Sequence, residues 1–481
     1  MAAAASGGYH GVMLRPQDSA TRERKALDGL WRFARERSGL HEGREMAVPA
    51  SYNDIGADDG LREHIGEVLY ETTVRVPATW SGRRIVLHFE AVTQRARVWL
   101  DDVEILAHEG GYTPFEAEIT ALVSAGDTAR ITVAVDNRLT FGSIPPGVVE
   151  QTPAGPRQRT WHDFFNYAGI HRSVWLCATP PIHLSDLQVT TDLDDDAGLV
   201  HFRMSAHDAD GLAARVLLRD RTGAVVAFRR ADHGTLTIPD AHLWAPGDGY
   251  LYELEAQLLD HIGTVVDSYH QAVGIRTATV SGNRFLINGE PFRFTGFGKH
   301  EDAAVLGKGH NDAYMLRDFE LMDWIGANSL RTSHYPYAED VLDYADRHGI
   351  VVIDEVAAVG LNLGLGEGVF GAPGYTTFGP DTIDDRTRDA HAQAIRELIA
   401  RDRNHPSVVL WSLANEPESD SEAAEHYFRP LFALARELRR LRHHGRHDAR
   451  GRQPQGRLHP GPATQIRRVR AAPALAQGGV R

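Results

Sequence analysis

The chain has 481 residues and a mass of 53.1 kDa, which is more than one hydrophobic core usually supports and predicts two to four domains. Its formal net charge of −14 argues against a general nucleic-acid-binding protein, whose surface would be basic. The single cysteine, Cys177, excludes an intramolecular disulfide and a cysteine-based zinc site. The first residues lack the features of a signal peptide, and no apolar run approaches the roughly 18 residues of a membrane span. We therefore expect a cytoplasmic protein without membrane or nucleic-acid partners.

The first half of the chain has the pattern of β-sandwiches. Residues 1–12 are predicted to be a disordered extension. In residues 13–181, short runs such as "RIVLHFEAV", "ARVWLDDVEI" and "ARITVAVDN" are rich in β-branched or alternating apolar residues and are separated by turn residues. This pattern predicts a jelly-roll sandwich. Residues 182–276 show a second series of short strands, which predicts an immunoglobulin-like sandwich.

Strand-like and helix-like segments alternate in residues 277–441. The strand-like segments are "FRFTGFG", "NSLRTSH", "IVVIDEVA" and "SVVLWSLANEP", and a helical pattern follows each of them. Such alternation predicts parallel strands joined by right-handed crossovers. Because a complete (β/α)₈ TIM barrel has eight such units and roughly 250 residues, we expect an incomplete barrel consisting of its first half.

The fourth predicted helix carries its own start signal and apolar face. Ser419 and Glu422 have the spacing of a capping box at its start. The residues expected on its apolar face are Phe428, Leu431, Ala435 and Leu438.

Residues 442–481 differ in composition from everything before them. They contain nine arginines, one acidic residue (Asp448) and no aromatic residue other than histidine. Such a segment buries too little apolar surface to offset its ordering entropy, so we predict a disordered tail. A basic tail that binds nucleic acid is one interpretation. The favoured hypothesis is that coherent sequence ends at Leu441 and that the remainder is out-of-frame translation.

Polar residues follow each of the four predicted barrel strands. In a βα barrel the active site lies at the carboxyl ends of the strands, which here are 298–301, 331–335, 354–355 and 415–416. A protonated carboxyl group can donate a proton to a leaving oxygen, while amide and imidazole groups bind sugar hydroxyls, so the pattern indicates glycosidic chemistry. Further candidate residues in this region are His300, Arg331, Asp354, Glu355 and Trp411.

Each candidate also has a structural interpretation. Asp354 or Arg331 could form a buried ion pair inside the barrel, and the histidines at 300 and 334 could be structural. Glu416 could be a solvated carboxylate at a strand end. A metal site made of the two histidines and Glu355 is a further alternative, but the spacing matches no compact ligand motif, and we expect no metal.

Two long segments carry a family resemblance. They are "NSLRTSHYPYAEDVLDYADRHGIVVI" (328–353) and "DRNHPSVVLWSLANE" (402–416). In these two segments the chain resembles the glycoside hydrolase family 2 enzymes. Two shorter segments are similar to segments of the bacterial β-glucuronidases in particular, namely "WHDFFNYAGIHRSVW" and "FTGFGKHED". The resemblance extends from about Met13 to Leu441.

The resemblance implies retaining hydrolysis of β-D-glucuronides without metal or organic cofactor. By this resemblance Glu416 would be the general acid/base, Asn415 would bind the hydroxyl next to the anomeric carbon, and His334 would line the sugar site. Asp163 would reach in from the jelly-roll domain, although a turn carboxylate is its alternative. Family members are often homotetramers, so a homo-oligomer is expected. A β-galactosidase- or β-mannosidase-like hydrolase and a non-catalytic carbohydrate-binding protein remain alternatives.

The chain also departs from the family pattern. Retaining hydrolysis needs two carboxyl groups about 5–5.5 Å apart, and in the family the nucleophile is a glutamate well beyond the acid/base. An Asn-x-Lys element for the substrate carboxylate lies there too. No glutamate follows Glu437, and Glu355 is a poor substitute because nucleophile placement is exacting. We therefore expect a truncated or frameshifted chain with no nucleophile and little activity, and exposed sheet edges that lower its solubility.

Overall fold

A computed structural model describes residues 13–40, 43–57, 59–153, 155–366 and 375–439. The predicted N-terminal extension and Arg-rich tail lie outside these residues. The described helices are α1 Asp59–Arg62, α2 Asp312–Trp324, α3 Glu339–His348, α4 Asp385–Asp402 and α5 Glu422–Leu438. In this part of the chain, no helix is long and apolar enough to cross a membrane.

The first domain is a sandwich of two antiparallel sheets. Its strands are β1 Glu23–Ala26, β2 Gly29–Ala34, β3 Arg44–Val48, β4 Glu67–Arg75, β5 Arg84–Phe89, β6 Val92–Thr93, β7 Arg95–Leu100, β8 Val103–Glu109, β9 Phe115–Glu118, β10 Thr128–Asp136, β11 Gly147–Thr152, β12 Gly155–Thr160, β13 Gly169–Ile170 and β14 Val174–Thr179. The two sheets have the orders β1-β14-β5-β9 and β3-β2-β4-β10-β7-β8. Strand β10 shows why they pack, because its alternate residues Ile131, Val133 and Val135 are fully buried between them. The predicted jelly-roll fold is confirmed.

The second domain is a smaller antiparallel sandwich. Its strands are β15 His183–Asp194, β16 Ala197–His207, β17 Ala213–Arg219, β18 Val225–Arg229, β19 His233–Ile238, β20 Tyr252–Leu259 and β21 Val265–Val273. They form sheets of order β15-β16-β19 and β18-β17-β20-β21. Val200, Phe202 and Leu218 are among the residues buried between the sheets. This is the predicted immunoglobulin-like architecture.

Four parallel strands form the half-barrel. After the antiparallel strands β22 Ala278–Ser281, β23 Arg284–Ile287 and β24 Glu290–Phe292 come the parallel strands β25 Gly296–Lys299, β26 Ser329–Thr332, β27 Val351–Glu355 and β28 Val408–Ser412. Their spatial order is the sequence order, β25-β26-β27-β28. Helices α2 to α5 alternate with them, as predicted for the first half of a TIM barrel.

The N-cap of helix α5 lies two residues later than predicted. Ser421 is its N-cap, and the Ser421 hydroxyl accepts the backbone N–H of Ala424. The predicted capping box on Ser419 and Glu422 is therefore wrong, because a cap must immediately precede the first helical residue. The predicted apolar face holds, with Phe428, Leu431 and Ala435 among the buried residues of the helix.

The jelly-roll domain is attached to the carboxyl end of the half-barrel. Arg172, only 1% exposed, places Nη2 3.2 Å from a carboxylate oxygen of Glu301 just beyond β25. The rings of Tyr112 and Tyr335 stack with centroids 4.7 Å apart. A buried charge needs partners, so these contacts hold the first domain over the rim where the candidate residues lie.

Candidate active site

Glu355 connects the ends of three neighbouring strands. Its side chain is fully buried at the end of β27. Oε1 lies 2.7 Å from Nδ1 of His334, and Oε2 accepts a hydrogen bond from Ser412 Oγ at 2.6 Å. Arg331 Nη1 is 3.5 Å from the same Oε2. Both carboxylate oxygens are thus engaged, which satisfies the requirement for burying a charge.

Asp354 has surroundings of a different kind from those of its neighbour Glu355. Asp354 is fully buried, and its Oδ1 accepts a hydrogen bond from Thr332 Oγ1 at 3.1 Å. Burial first, and then the carboxylate of Asp402, raise the pKa of Asp354 well above its usual range. The ion pair considered for this region forms between Arg331 and Glu355. Asp354 is therefore best described as a buried acid that stays protonated more readily than an ordinary aspartate.

Asp163, His300 and His334 come together although they lie far apart in the sequence. Their possible ligand atoms all lie within 4.8 Å of one another. Asp163 is exposed on a jelly-roll loop, whereas the histidines follow β25 and β26. One carboxylate and two imidazoles can hydrogen-bond sugar hydroxyls, and the same donor set can ligate a divalent cation. Glu355 contacts the Nδ1 side of His334, which leaves Nε2 of that ring for a ligand.

The two histidines differ in their surroundings. His300 is half-buried, and its Nδ1 lies 3.3 Å from the hydroxyl of Tyr335. Burial lowers the pKa of His300 below its usual value, so its imidazole is neutral at physiological pH. His334 is 8% exposed and its ring lies edge-on to that of His300, with centroids 5.6 Å apart. A neutral and a carboxylate-paired imidazole thus face the rim side by side.

Asn415 and Glu416 lie just beyond β28. The backbone N–H of Asn415 donates to the carbonyl of Ala358 at 3.0 Å, so this segment continues beside the one that follows β27. Glu416 is exposed and has φ +45°, a conformation that residues with a Cβ rarely adopt and that is enriched at functional sites. Trp411, in β28 itself, is half-buried. The strand geometry therefore presents the Glu416 carboxyl to solvent at the rim.

Sequence reasoning missed several residues of this region. Ser412 lies inside a quoted segment and Tyr335 inside the predicted strand end 331–335, but no spacing rule indicates that they contact Glu355 and His300. Lys308 lies in the loop between β25 and α2 and is 1% exposed. Its flanking glycines offer the only signal, since a Cβ on Gly307 would meet the side chains of Tyr167 and Ser51, and a Cβ on Gly309 would meet the backbone of Ala50.

Family comparisons agree with the three-part architecture. Residues 24–180 match the profile "Glycosyl hydrolases family 2, sugar binding domain", residues 182–276 match "Glycosyl hydrolases family 2", and residues 278–447 match "Glycosyl hydrolases family 2, TIM barrel domain". The chain is 45% identical over 443 residues to a β-glucuronidase of Paenibacillus borealis, covering 89% of this chain and 73% of that protein. It is 41% identical over 468 residues to the human β-glucuronidase, covering 90% and 69%.

Solved structures show the same similarity in three dimensions. The β-D-glucuronidase of Dictyoglomus thermophilum superposes with a TM-score of 0.83 at 41% identity, over 89% of this chain and 72% of that one. The β-glucuronidase of Ruminococcus gnavus in complex with D-glucuronic acid superposes with a TM-score of 0.80 at 35% identity, over 88% and 72%.

Proposed function

Because this chain belongs to glycosyl hydrolases family 2, we propose that its rim is the sugar site of a retaining β-glucuronidase, which hydrolyses β-D-glucuronides to D-glucuronate and an aglycone. The observation that carries the proposal is the meeting of Asp163 from the jelly-roll domain with His300 and His334 from the half-barrel. A single sugar ring presents hydroxyls in several directions, and groups from two domains can bind them together. The β-glucuronidases among its relatives support the choice of glucuronide.

The proposed roles follow from the surroundings of each residue. Glu416, exposed at the rim, is the general acid/base that protonates the leaving oxygen and then activates water. Asn415 binds the hydroxyl next to the anomeric carbon. His334 binds a sugar hydroxyl through Nε2, since Glu355 holds Nδ1. Asp163 binds a hydroxyl at the far end of the ring, while Arg331 and Trp411 border the site.

Glu355 is an unsuitable second carboxylate. A nucleophile must direct a free oxygen at the anomeric carbon, yet both oxygens of Glu355 are engaged with His334, Ser412 and Arg331. We therefore propose that the 481-residue polypeptide binds glucuronate with little or no turnover. The second candidate function is that of a carbohydrate-binding protein, and it is favoured because both oxygens of Glu355 are engaged.

Two measurements on the purified, sequence-verified chain test this proposal. Isothermal titration calorimetry with D-glucuronic acid should show saturable binding, and D-galactose and D-mannose serve as matched controls for related sugars. A chromogenic aryl β-D-glucuronide measures turnover. Binding of galactose or mannose in preference to glucuronate would point to a β-galactosidase- or β-mannosidase-like protein instead. Absence of binding to all three sugars would contradict the proposal.

We also propose a cytoplasmic location and a homo-oligomeric state. The support for the first is that the only thiol, Cys177, is buried, so nothing in the chain uses an oxidising compartment. The support for the second is the exposed apolar surface at the end of α2, where Trp324 is 81% exposed and the following Ile325 57%. Such surfaces mark interaction sites. Fractionation of the source cells and light scattering of the purified chain test the two proposals.

A further inference from the structure

Lys308 is a buried cation at the contact between the jelly-roll domain and the half-barrel. Its side chain is 1% exposed, and its ammonium lies over three aromatic rings, 4.4 Å from the centroid of Phe164, 4.6 Å from Tyr335 and 5.4 Å from Tyr167. Nζ also donates to the carbonyl of Phe165 at 3.3 Å. Aromatic faces attract a cation strongly when it is desolvated, so these contacts hold the ammonium and the rings together.

The same contacts attach Lys308 to both parts of the proposed sugar site. On the jelly-roll side, Phe164 and Phe165 directly follow Asp163. On the barrel side, Tyr335 directly follows His334, and the Lys308 ammonium is 3.5 Å from Asp302, two residues after His300. The cation therefore lies between the backbone segment that carries Asp163 and the two segments that carry the histidines.

The backbone around Lys308 reinforces this attachment. The N–H of Lys308 donates to Ser51 Oγ at 3.1 Å, and the N–H of Ser51 donates to the carbonyl of Leu306 at 2.9 Å. The barrel loop is thus fixed to the jelly-roll domain on one side. On the other side the lysine ammonium reaches the Asp163 loop at Phe164, whose ring also packs against His300 and Tyr335.

We propose that Lys308 is a positioning residue, whose ammonium holds the Asp163 loop against His300 and His334 in the geometry that binds the sugar. It touches neither the sugar nor the reacting atoms. This inference rests on the proposed function for the identity of the sugar, but the loop geometry that it explains is independent of it. This role of Lys308 requires the charge of its side chain rather than its volume.

The energetics separate this role from a purely structural one. Burial lowers the pKa of Lys308 to about 8, against the opposing influence of Asp302. A lowered pKa means that the fold as a whole disfavours this charge relative to water. Methionine has a similar length and no charge, and the ion-pair partner that it leaves behind, Asp302, is 34% exposed and can be solvated by water. Lys308→Met should therefore leave stability unchanged or raise it while the Asp163 loop loosens.

The experiment measures stability, loop protection and sugar binding in wild type, Lys308→Met and Lys25→Met. Lys25, a half-buried lysine of the jelly-roll domain whose Nζ donates to the carbonyl of Arg75 at 2.8 Å, is the control. We expect Lys308→Met to keep the wild-type midpoint of thermal unfolding or exceed it. Backbone amides of residues 161–167 should exchange faster with deuterium than in wild type, and D-glucuronic acid should bind at least about tenfold more weakly.

A pH titration of the wild type tests the same inference without a substitution. Raising the pH from 7 to 9.5 removes the Lys308 charge, so protection of residues 161–167 should fall toward that of Lys308→Met after correction for intrinsic exchange. The titratable groups that interact with the ammonium are Asp302, Glu301, His162, His171, His300, Tyr167 and Tyr335. Burial lowers the pKa of the three histidines and raises that of both tyrosines, so these five groups stay neutral over this range.

The outcomes are distinguishable. If the wild type binds no D-glucuronic acid but Lys308→Met still loosens residues 161–167, the positioning role stands and the proposed function fails. If Lys308→Met lowers the unfolding midpoint and loosens the whole domain equally, Lys308 is structural and the inference is overturned. Unchanged loop protection and unchanged binding in Lys308→Met would also overturn it.

Discussion

Nδ1 of His334 lies 2.7 Å from Oε1 of Glu355, and the two side chains come from the ends of adjacent strands. A carboxylate on one ring nitrogen determines the tautomer and orientation of an imidazole, and so determines what the other nitrogen presents. The same carboxylate accepts the hydroxyl of Ser412 on the next strand. Glu355 thus functions in the fold as the group that holds the rim together.

Glu355→Gln tests this relationship. Glutamine keeps the shape but loses the charge that pairs with Arg331 and His334. We expect the free energy of unfolding in urea to fall by about 1–3 kcal/mol, the usual cost of leaving buried polar groups poorly paired. Binding of D-glucuronic acid should weaken as well. Glu63→Gln, at an exposed position, is the control and should stay within about 0.5 kcal/mol of wild type. Equal stability of the two variants would contradict this role.

Glu416→Gln separates folding from catalysis. Glu416 is exposed, so the substitution should leave the unfolding midpoint unchanged. A working acid/base contributes roughly 100- to 10,000-fold to the rate. Because both oxygens of Glu355 are engaged with His334, Ser412 and Arg331, we expect no second catalytic carboxylate here, and wild type and variant should release chromophore from an aryl β-D-glucuronide at the same background rate. Turnover that depends on Glu416 would refute the expected inactivity.

The buried pair of His405 and Asp346 predicts a pH dependence of stability. Burial opposes the charge of His405, but Asp346, 2.6 Å from Nδ1, outweighs it and raises the pKa of His405 to about 10. Between about pH 6.5 and 10 the folded state therefore binds the extra proton and the unfolded state does not. This contribution is complete below pH 6.5 and is lost as the pH rises toward 10.

Urea unfolding of wild type and His405→Gln from pH 6 to 10 measures this contribution. The stability difference between the two should shrink as the pH rises, by a few kcal/mol in all. His242, whose pair with Asp248 is exposed, supplies the control, and His242→Gln should follow the wild-type curve. The lowered pKa of Lys308 adds stability as the pH rises above 8. This contribution is the same in both proteins, so it cancels in the difference between them. A constant difference would show that His405 is not charged in the fold.

The exposed face of α2 predicts self-association. Tyr314, Leu321 and Trp324 are all at least 40% exposed on this helix, where a soluble helix usually presents polar residues. Trp324→Ser should lower the apparent mass in light scattering at high protein concentration without lowering stability. Ile262→Ser removes an isolated apolar side chain that is 76% exposed and should leave the mass unchanged. The same mass for Trp324→Ser and wild type would show that this face does not mediate association.

The strand order of the half-barrel was predictable because its cause is local. Apolar runs alternating with helical periods require parallel strands, and the handedness of the crossovers then allows few arrangements. The polar strand ends were equally visible, since Asp354 and Asn415 directly follow apolar residues. The N-cap of α5 was missed by two residues because Ser419 and Ser421 both suit a cap, and only the packing of the helix decides where it begins.

Contacts between distant segments were beyond local reasoning. The resemblance to known hydrolases indicated Asp163, but nothing in its own sequence distinguishes it from a turn carboxylate. Lys308 gave even less warning, because an isolated lysine between glycines is usually solvated. The pairing of Arg331 with Glu355 rather than Asp354 depends on which face of β27 each carboxylate occupies relative to its neighbours.

By itself, the sequence determined the family, the two β-sandwich domains, the α/β half-barrel and the order of its strands. It could do so because hydrophobic periodicity and turn residues act over a few positions. Only the tertiary structure decided which carboxylate is held by His334, which buried acid has a raised pKa, and how a jelly-roll loop meets the barrel rim. These depend on burial and on charges brought together across more than a hundred residues, as when Asp163 meets His300 and His334. Desolvation and Coulomb attraction are set by distance in space, which the local pattern of a chain does not contain.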